Sequence, residues 1–105
     1  MNTIVSQELR EQAIRIQKFI ELTERAKTRL RHACEDLGKY RKTKKLIVHS
    51  LLDLKAYDER VVKLTDIRKT EQRFVTALEN ASKDSRDYEI FVKAYMSHDY
   101  SEVLK

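Results

Sequence analysis

A chain of 105 residues with one glycine, Gly38, and no proline has almost nothing with which to make tight turns. Turns use glycine for positive φ and proline for a preset φ, so a sheet protein, which needs many turns, is disfavoured. Long helices with few reversals are the economical reading. Charged residues make up 37% of the chain, but the apolar residues, at 41%, are too numerous and too regularly spaced for a disordered polymer. The expected fold class is all-α: a long antiparallel, coiled-coil-like helical hairpin plus a shorter C-terminal helix, completing a bundle by dimerisation. All 105 residues are expected to form a single helical domain, a size that supports one modest core.

The first arm, about 4–37, carries a seven-residue repeat. Leu9, Ile16, Thr23, Leu30 and Leu37 form one row, and Val5, Gln12, Phe19, Ala26, Ala33 and Tyr40 form a second. The rows are offset by three and four residues, which puts both on one stripe of a helix. Gly38 stands where a C-terminal cap belongs, and the cations after it suit the negative end of the helix dipole. The turn is thus placed at 38–45. The second arm, about 46–82, is apolar at Ile47, Leu51, Leu54, Val61, Leu64, Ile67, Phe74, Val75 and Leu78. Thr65-Asp66 offers a possible cap, but without glycine or proline there a continuous helix is preferred.

Folding about residues 41–43 pairs Leu37 with Ile47, Ala33 with Leu51, Leu30 with Leu54 and Phe19 with Leu64. It also sets Gln12 opposite Glu71 and Gln72, a polar layer of the kind that fixes register. Ser82-Lys83-Asp84-Ser85 supplies N-cap residues for a third helix, about 85–104. That helix carries Tyr88, Phe91, Val92, Tyr95, Met96, Val103 and Leu104 on its apolar side and is expected to dock.

Charge is concentrated in one place. The net charge is +5, and residues 38–45 alone hold five basic residues and no acidic one. The arms are each nearly neutral, so the excess is a basic tip and not a basic surface. Lys39, Tyr40, Arg41, Lys42, Lys44 and Lys45 are therefore the candidate contacts for an acidic partner or a nucleic acid, with phosphates meeting the cations and Tyr40 stacking on a base. Arg25, Lys27, Arg29 and Arg31 lead up to this tip along the first arm.

Catalytic signatures are lacking: there is no glycine-rich phosphate loop, no HExxH and no CxxC. Ser97-His98-Asp99 has the letters of a triad, but consecutive residues on a helix point apart. His32 and Cys34 face different ways, and no inward Glu-x-x-His pair is present for a bundle metal site. Cys34 reads as a small, semi-buried apolar residue, and His49 and Asp53 as a surface ion pair one turn apart. The reading is non-enzymatic, with no catalytic residue, cofactor or metal. A lone cysteine and the absence of a membrane-spanning apolar run point to a cytoplasmic or nuclear setting.

Partner binding is the positive expectation. Ala13, Ile14, Ile20, Leu22 and Cys34 in the first arm, and Leu46, Val48, Leu52 and Val62 in the second, lie off the seam rows. Apolar surface beyond a two-helix seam marks an interface. Ile14, Ile20, Leu22, Leu52 and Val62 are the candidate interface with a second copy, giving a homodimeric four-helix bundle, or with another helical protein. The function expected is a self-associating helical interaction module, with nucleic-acid binding through residues 39–45 as the alternative. A peripheral membrane scaffold ranks last, because the expected tip has no apolar insertion element beyond Tyr40.

Overall fold

The computed structural model describes the backbone of residues 2–84 and 87–104 and the side chains of residues 6–83 and 87–104. The chain order is α1 (Asn2–Lys42), α2 (Lys44–Ile47), α3 (Leu51–Asp84) and α4 (Tyr88–Ser97). Helices α1 and α3 form the antiparallel hairpin in a rod of 75 × 23 × 19 Å. No strand occurs among the described residues. Helix α3 runs without a break through Thr65-Asp66, because the Thr65 hydroxyl donates to the Val61 carbonyl at 2.7 Å and is satisfied within the helix.

The reversal lies further along the chain than the position of Gly38 suggests. Gly38 has no positive φ and sits inside α1, which continues to Lys42. Thr43 ends that helix, its amide and hydroxyl both donating to the Tyr40 carbonyl at 3.0 and 2.6 Å. After the single turn of α2, Val48 is extended. Ser50 then caps α3: its hydroxyl accepts from the Asp53 amide at 3.1 Å, while the Asp53 carboxylate accepts from the His49 amide at 2.9 Å. This is a variant of the reciprocal capping box, with the acid reaching one residue further back than usual. Asp53 is thus a capping residue and not the ion-pair partner of the His49 ring, whose Nε2 lies 2.8 Å from the Leu46 carbonyl oxygen.

Moving the turn moves the register. Tyr57, not Lys44, packs on Tyr40, with ring centroids 5.3 Å apart. Leu30 and Cys34 lie in the groove beside Arg68, Lys69 and Gln72, not beside Leu54. The displacement is roughly 13 residues, about 20 Å along the rod. Gln12 therefore faces solvent, not Glu71, and Ile47 and Leu51 are exposed, not paired with Leu37 and Ala33. Val5, the first residue of the second heptad row, has its side chain outside the described residues.

The core lies toward the α4 end. Phe19, Leu22 and Ala26 of α1 meet Phe74, Val75, Leu78 and Ala81 of α3, covered by Phe91, Ala94, Tyr100 and Val103. Phe74 is fully buried and is the hub, with Phe91, Tyr95 and Tyr100 at 6.0, 6.2 and 4.5 Å. Phe19 meets Tyr88 edge-on at 5.5 Å. The third helix is shorter than expected: Asp87 caps it by accepting from the Glu89 amide at 2.9 Å, and His98 ends it at φ 57. His is among the few non-glycine residues that tolerate this left-handed region. The reversal there turns Val103 and Leu104 back onto the core. Ser85, expected to begin this helix, lies outside the described residues.

Gly38 meets nothing within 4 Å of where a Cβ would stand. Gly38→Ala should therefore raise stability by about 0.5–1 kcal/mol, since it only removes unfolded-state freedom from a helical position. Thermal and urea melts check this; a destabilised variant would mean that Gly38 is a cap after all.

Candidate interaction surfaces

Three places on the rod can engage something else: the tip, the N-terminal end of α1, and a cleft beside α4.

At the tip, Lys39, Arg41, Lys42, Lys44 and Lys45 are all exposed, as the charge pattern requires. Tyr40 is only partly exposed, and its ring is occupied by Tyr57. Tyr57 is buried, its hydroxyl donates to the Arg41 carbonyl at 3.4 Å, and the Lys44 ammonium stands 5.5 Å from its ring. The tip is thus anchored to the hairpin through Tyr57. Because the reversal comes late, the tip also includes Leu46, Ile47, Leu51 and Leu52, with exposures of 75, 43, 86 and 80%. The expectation that Tyr40 is its sole apolar element is corrected.

At the other end, Ser6 through Lys18 are exposed without interruption; with Tyr57 on Tyr40, α3 ends opposite Ala13, and the first part of α1 runs on past it. Leu9 and Ile16, expected in the seam, are each 61% exposed. A straight helix drifts about 20° per heptad against a strict seven-residue repeat. The row that is buried at Leu37 has therefore rotated by about 80° when it reaches Leu9, off the seam altogether. The residues actually buried are Phe19, Leu22, Ala26, Ala33 and Leu37, spaced by three, four and seven.

Leu22 is the interface candidate that the structure removes: it is 5% exposed and belongs to the core. It stands three residues after Phe19 and four before Ala26, which puts all three on one face. Ile14, Ile20, Leu52 and Val62 are exposed, but they do not form one patch. Ile14 and Ile20 lie near the N-terminal end of α1, whereas Leu52 and Val62 lie toward the tip, tens of ångströms away.

The cleft beside α4 is lined by Arg29, His32, Asp36, Asp66, Glu71 and His98 among others. Its floor is a buried polar chain. The Tyr100 hydroxyl donates to the Glu71 carboxylate, whose oxygens are 3.1 and 3.2 Å away, and accepts from Arg29 Nη1 at 2.9 Å. Arg29 also donates to the Tyr95 carbonyl at 3.1 Å and stacks 3.7 Å from the centre of the Tyr95 ring. Glu71 is the one buried charged residue among those described. A polar layer exists, then, but Arg29 and Tyr100 form it with Glu71, where Gln12 was expected. Arg29 consequently points inward. Lys27 pairs with Glu24 and Arg31 with Glu35, each at 3.8 Å and exposed on the arm.

Among the described residues no group of three His, Cys, Asp or Glu side chains is placed to hold a metal ion. Ser97 donates to the Lys93 carbonyl and Asp99 accepts from the Ser101 amide, so neither turns toward His98 as a triad would require. Cys34 is exposed, not semi-buried. No described helix is long and apolar enough to cross a membrane. No protein-family model matches the chain, and no curated protein or solved structure is detectably similar to it.

Burial holds the Tyr100 hydroxyl above its ordinary value of 10.0, with the Arg29 hydrogen bond opposing and the nearby Glu71 charge reinforcing the rise. The folded protein therefore keeps this proton to higher pH than the unfolded chain. The resulting stabilisation is complete below about pH 10 and is lost as pH rises through the folded value. Tyr100→Phe should cost about 1–3 kcal/mol at neutral pH, because a buried carboxylate loses its donor, and should weaken the alkaline loss of stability. Melts of both proteins from neutral to alkaline pH check this; an equal alkaline slope in the two would exclude Tyr100 as its source.

Proposed function

We propose that this chain is a non-enzymatic helical assembly module that associates with a second copy of itself through the projecting end of α1. The observation that carries this reading is an unpartnered apolar stripe. Leu9, Ala13, Ile16 and Ile20 follow one another at intervals of four, three and four residues, and Leu9, Ile16 and Ile20 are 61, 61 and 51% exposed. That is the seam spacing of a coiled coil, on a face of α1 turned away from α3, and its first part, around Leu9, runs beyond the end of α3. The stripe is rotated about 110° from the buried seam, so a partner helix can lie along it without meeting α3 or α4.

The spacing is palindromic, which suits a two-fold antiparallel pairing. With the axis between Ala13 and Ile16, Leu9 meets Ile20 of the other copy and Ala13 meets Ile16. Small then faces large, and no layer is left hollow. Polar Gln12 and Gln17 border the stripe. Six partly exposed aliphatic side chains gain about 1 kcal/mol each when covered. That gain is comparable with the cost of association, so a dimer of micromolar affinity or weaker is expected. Support for the nucleic-acid reading is weaker, since Tyr40 is partly covered by Tyr57 and Arg29 is turned inward to Tyr95 and Tyr100.

Light scattering after size exclusion, over a concentration series at low and high salt, tests the reading. The wild-type mass should rise toward a dimer with concentration and be insensitive to salt. Ile16→Asp should hold the chain as a monomer. Ile14→Asp should not, because Ile14 lies about 130° round the helix from the stripe. A wild-type monomer at all concentrations, or equal damage from the two substitutions, would contradict the proposal.

A further inference from the structure

The opposite end of the rod carries a second, independent surface. Between Gly38 and Lys55 the chain has six basic residues and one acidic residue, Asp53, whose carboxylate already accepts from the His49 amide. Within this cationic setting Leu46, Leu51 and Leu52 are at least 75% exposed and Ile47 is 43% exposed. Four large aliphatic side chains gathered at the end of a narrow rod are not an ordinary surface composition. The four lie beyond the hairpin seam, and the one hollow that reaches them, lined by Leu51, Leu54, Lys55, Asp58, Glu59 and Val62, is open and runs back along α3, away from Leu46 and Ile47. Tyr57 is buried and Tyr40 is partly covered by it, which leaves little aromatic surface to stack on a base.

Exposed aliphatic surface at the end of a narrow rod, ringed by lysine, is well matched to an anionic lipid interface. There, aliphatic side chains enter the acyl boundary, lysine stems lie along apolar surface with their ammonium groups at the phosphates, and the negative surface potential attracts the cations. We propose that the rod docks end-on to an anionic bilayer. Leu46, Ile47, Leu51 and Leu52 enter the interface, and Lys39, Arg41, Lys42, Lys44 and Lys45 contact lipid phosphates. The local fold suits this role. Thr43 and Ser50 bracket the knuckle with hydrogen bonds, and Tyr57 holds it to the hairpin, so the aliphatic side chains are presented without further ordering. Neither contribution suffices alone: a few aliphatic residues bind weakly, and a basic cluster is screened by salt. The inference is independent of self-association at the other end.

Co-sedimentation with phosphatidylcholine vesicles, with and without phosphatidylserine at about one lipid in three, tests it. Binding is expected only with phosphatidylserine and should fall as salt rises. The triple variant Lys42→Glu, Lys44→Glu, Lys45→Glu should bind at least about a hundredfold more weakly, and Leu51→Ser with Leu52→Ser should also lose binding. Both sets lie on exposed side chains, and among the lysines only Lys44 has a contact to lose, the Tyr57 ring, so the helical melt should shift little. The chain has no tryptophan, so Leu52→Trp gives a unique emission that should shift to the blue on anionic vesicles. Absence of serine-lipid-dependent binding overturns the proposal. So does full binding by the double serine variant or an unshifted emission from the introduced tryptophan, either of which reduces the contact to charge alone. Binding of an RNA or of an acidic helical peptide through these residues, with vesicles ignored, would reassign the tip to that partner.

Discussion

The contact of Tyr57 with Tyr40, just before the chain reverses, fixes what the rest of the rod can do. With these rings 5.3 Å apart and the Tyr57 hydroxyl on the Arg41 carbonyl, α3 cannot begin its run along α1 earlier than it does. The reversal is then confined to Thr43–Ser50, where one turn of helix and a Ser50–Asp53 cap complete it. Three consequences follow from geometry alone. Phe74 reaches Phe19 and α4, the aliphatic residues after Lys45 are left at the tip, and the first part of α1 extends beyond α3.

The far end of the hairpin is held differently. Two helices alone leave one side of their seam open, and here the short α4 with the last turn of chain covers it, around fully buried Phe74 and Phe91. Within this apolar cover sits the chain from Arg29 through Tyr100 to Glu71. A buried carboxylate is costly without partners, so this chain rewards one alignment of α1, α3 and the C-terminal segment over its neighbours. Aromatic packing and the polar chain thus meet at the same place, around Phe74 and Tyr100.

Much of the fold was legible in the residues: all-helical class, antiparallel hairpin, unbroken α3 and a docked aromatic C-terminal segment. The register was not, because two local signals misled. Gly38 resembles a cap, but a helix tolerates one glycine for about 1 kcal/mol when the residues on both sides are packed. Leu37 is buried and Tyr40 packs against Tyr57, so the helix carries on. The strict heptad row from Leu9 to Leu37 suggested a seam five heptads long, yet a straight helix rotates such a row away from its partner. Signals that point to the true turn are present: Ser50-Leu51-Leu52-Asp53 reads as a capping box before an apolar run, and Phe19, Leu22 and Ala26 share one face. The Arg29–Tyr100–Glu71 chain left no local trace, since it joins residues 29 to 71 positions apart.

The alignment of α1 on α3 is the claim on which both surfaces rest, and the single native cysteine gives direct access to it. Cys34 is exposed and shares a groove with Lys69. Spin labels on Cys34 and on Lys69→Cys, compared by dipolar electron paramagnetic resonance, should show the strong broadening of neighbouring labels. A hairpin turning at residues 41–43 would instead set Cys34 opposite Ser50 and separate the labels by about 28 Å. A distance of that size would contradict the register, and with it the projecting end of α1 and the aliphatic tip.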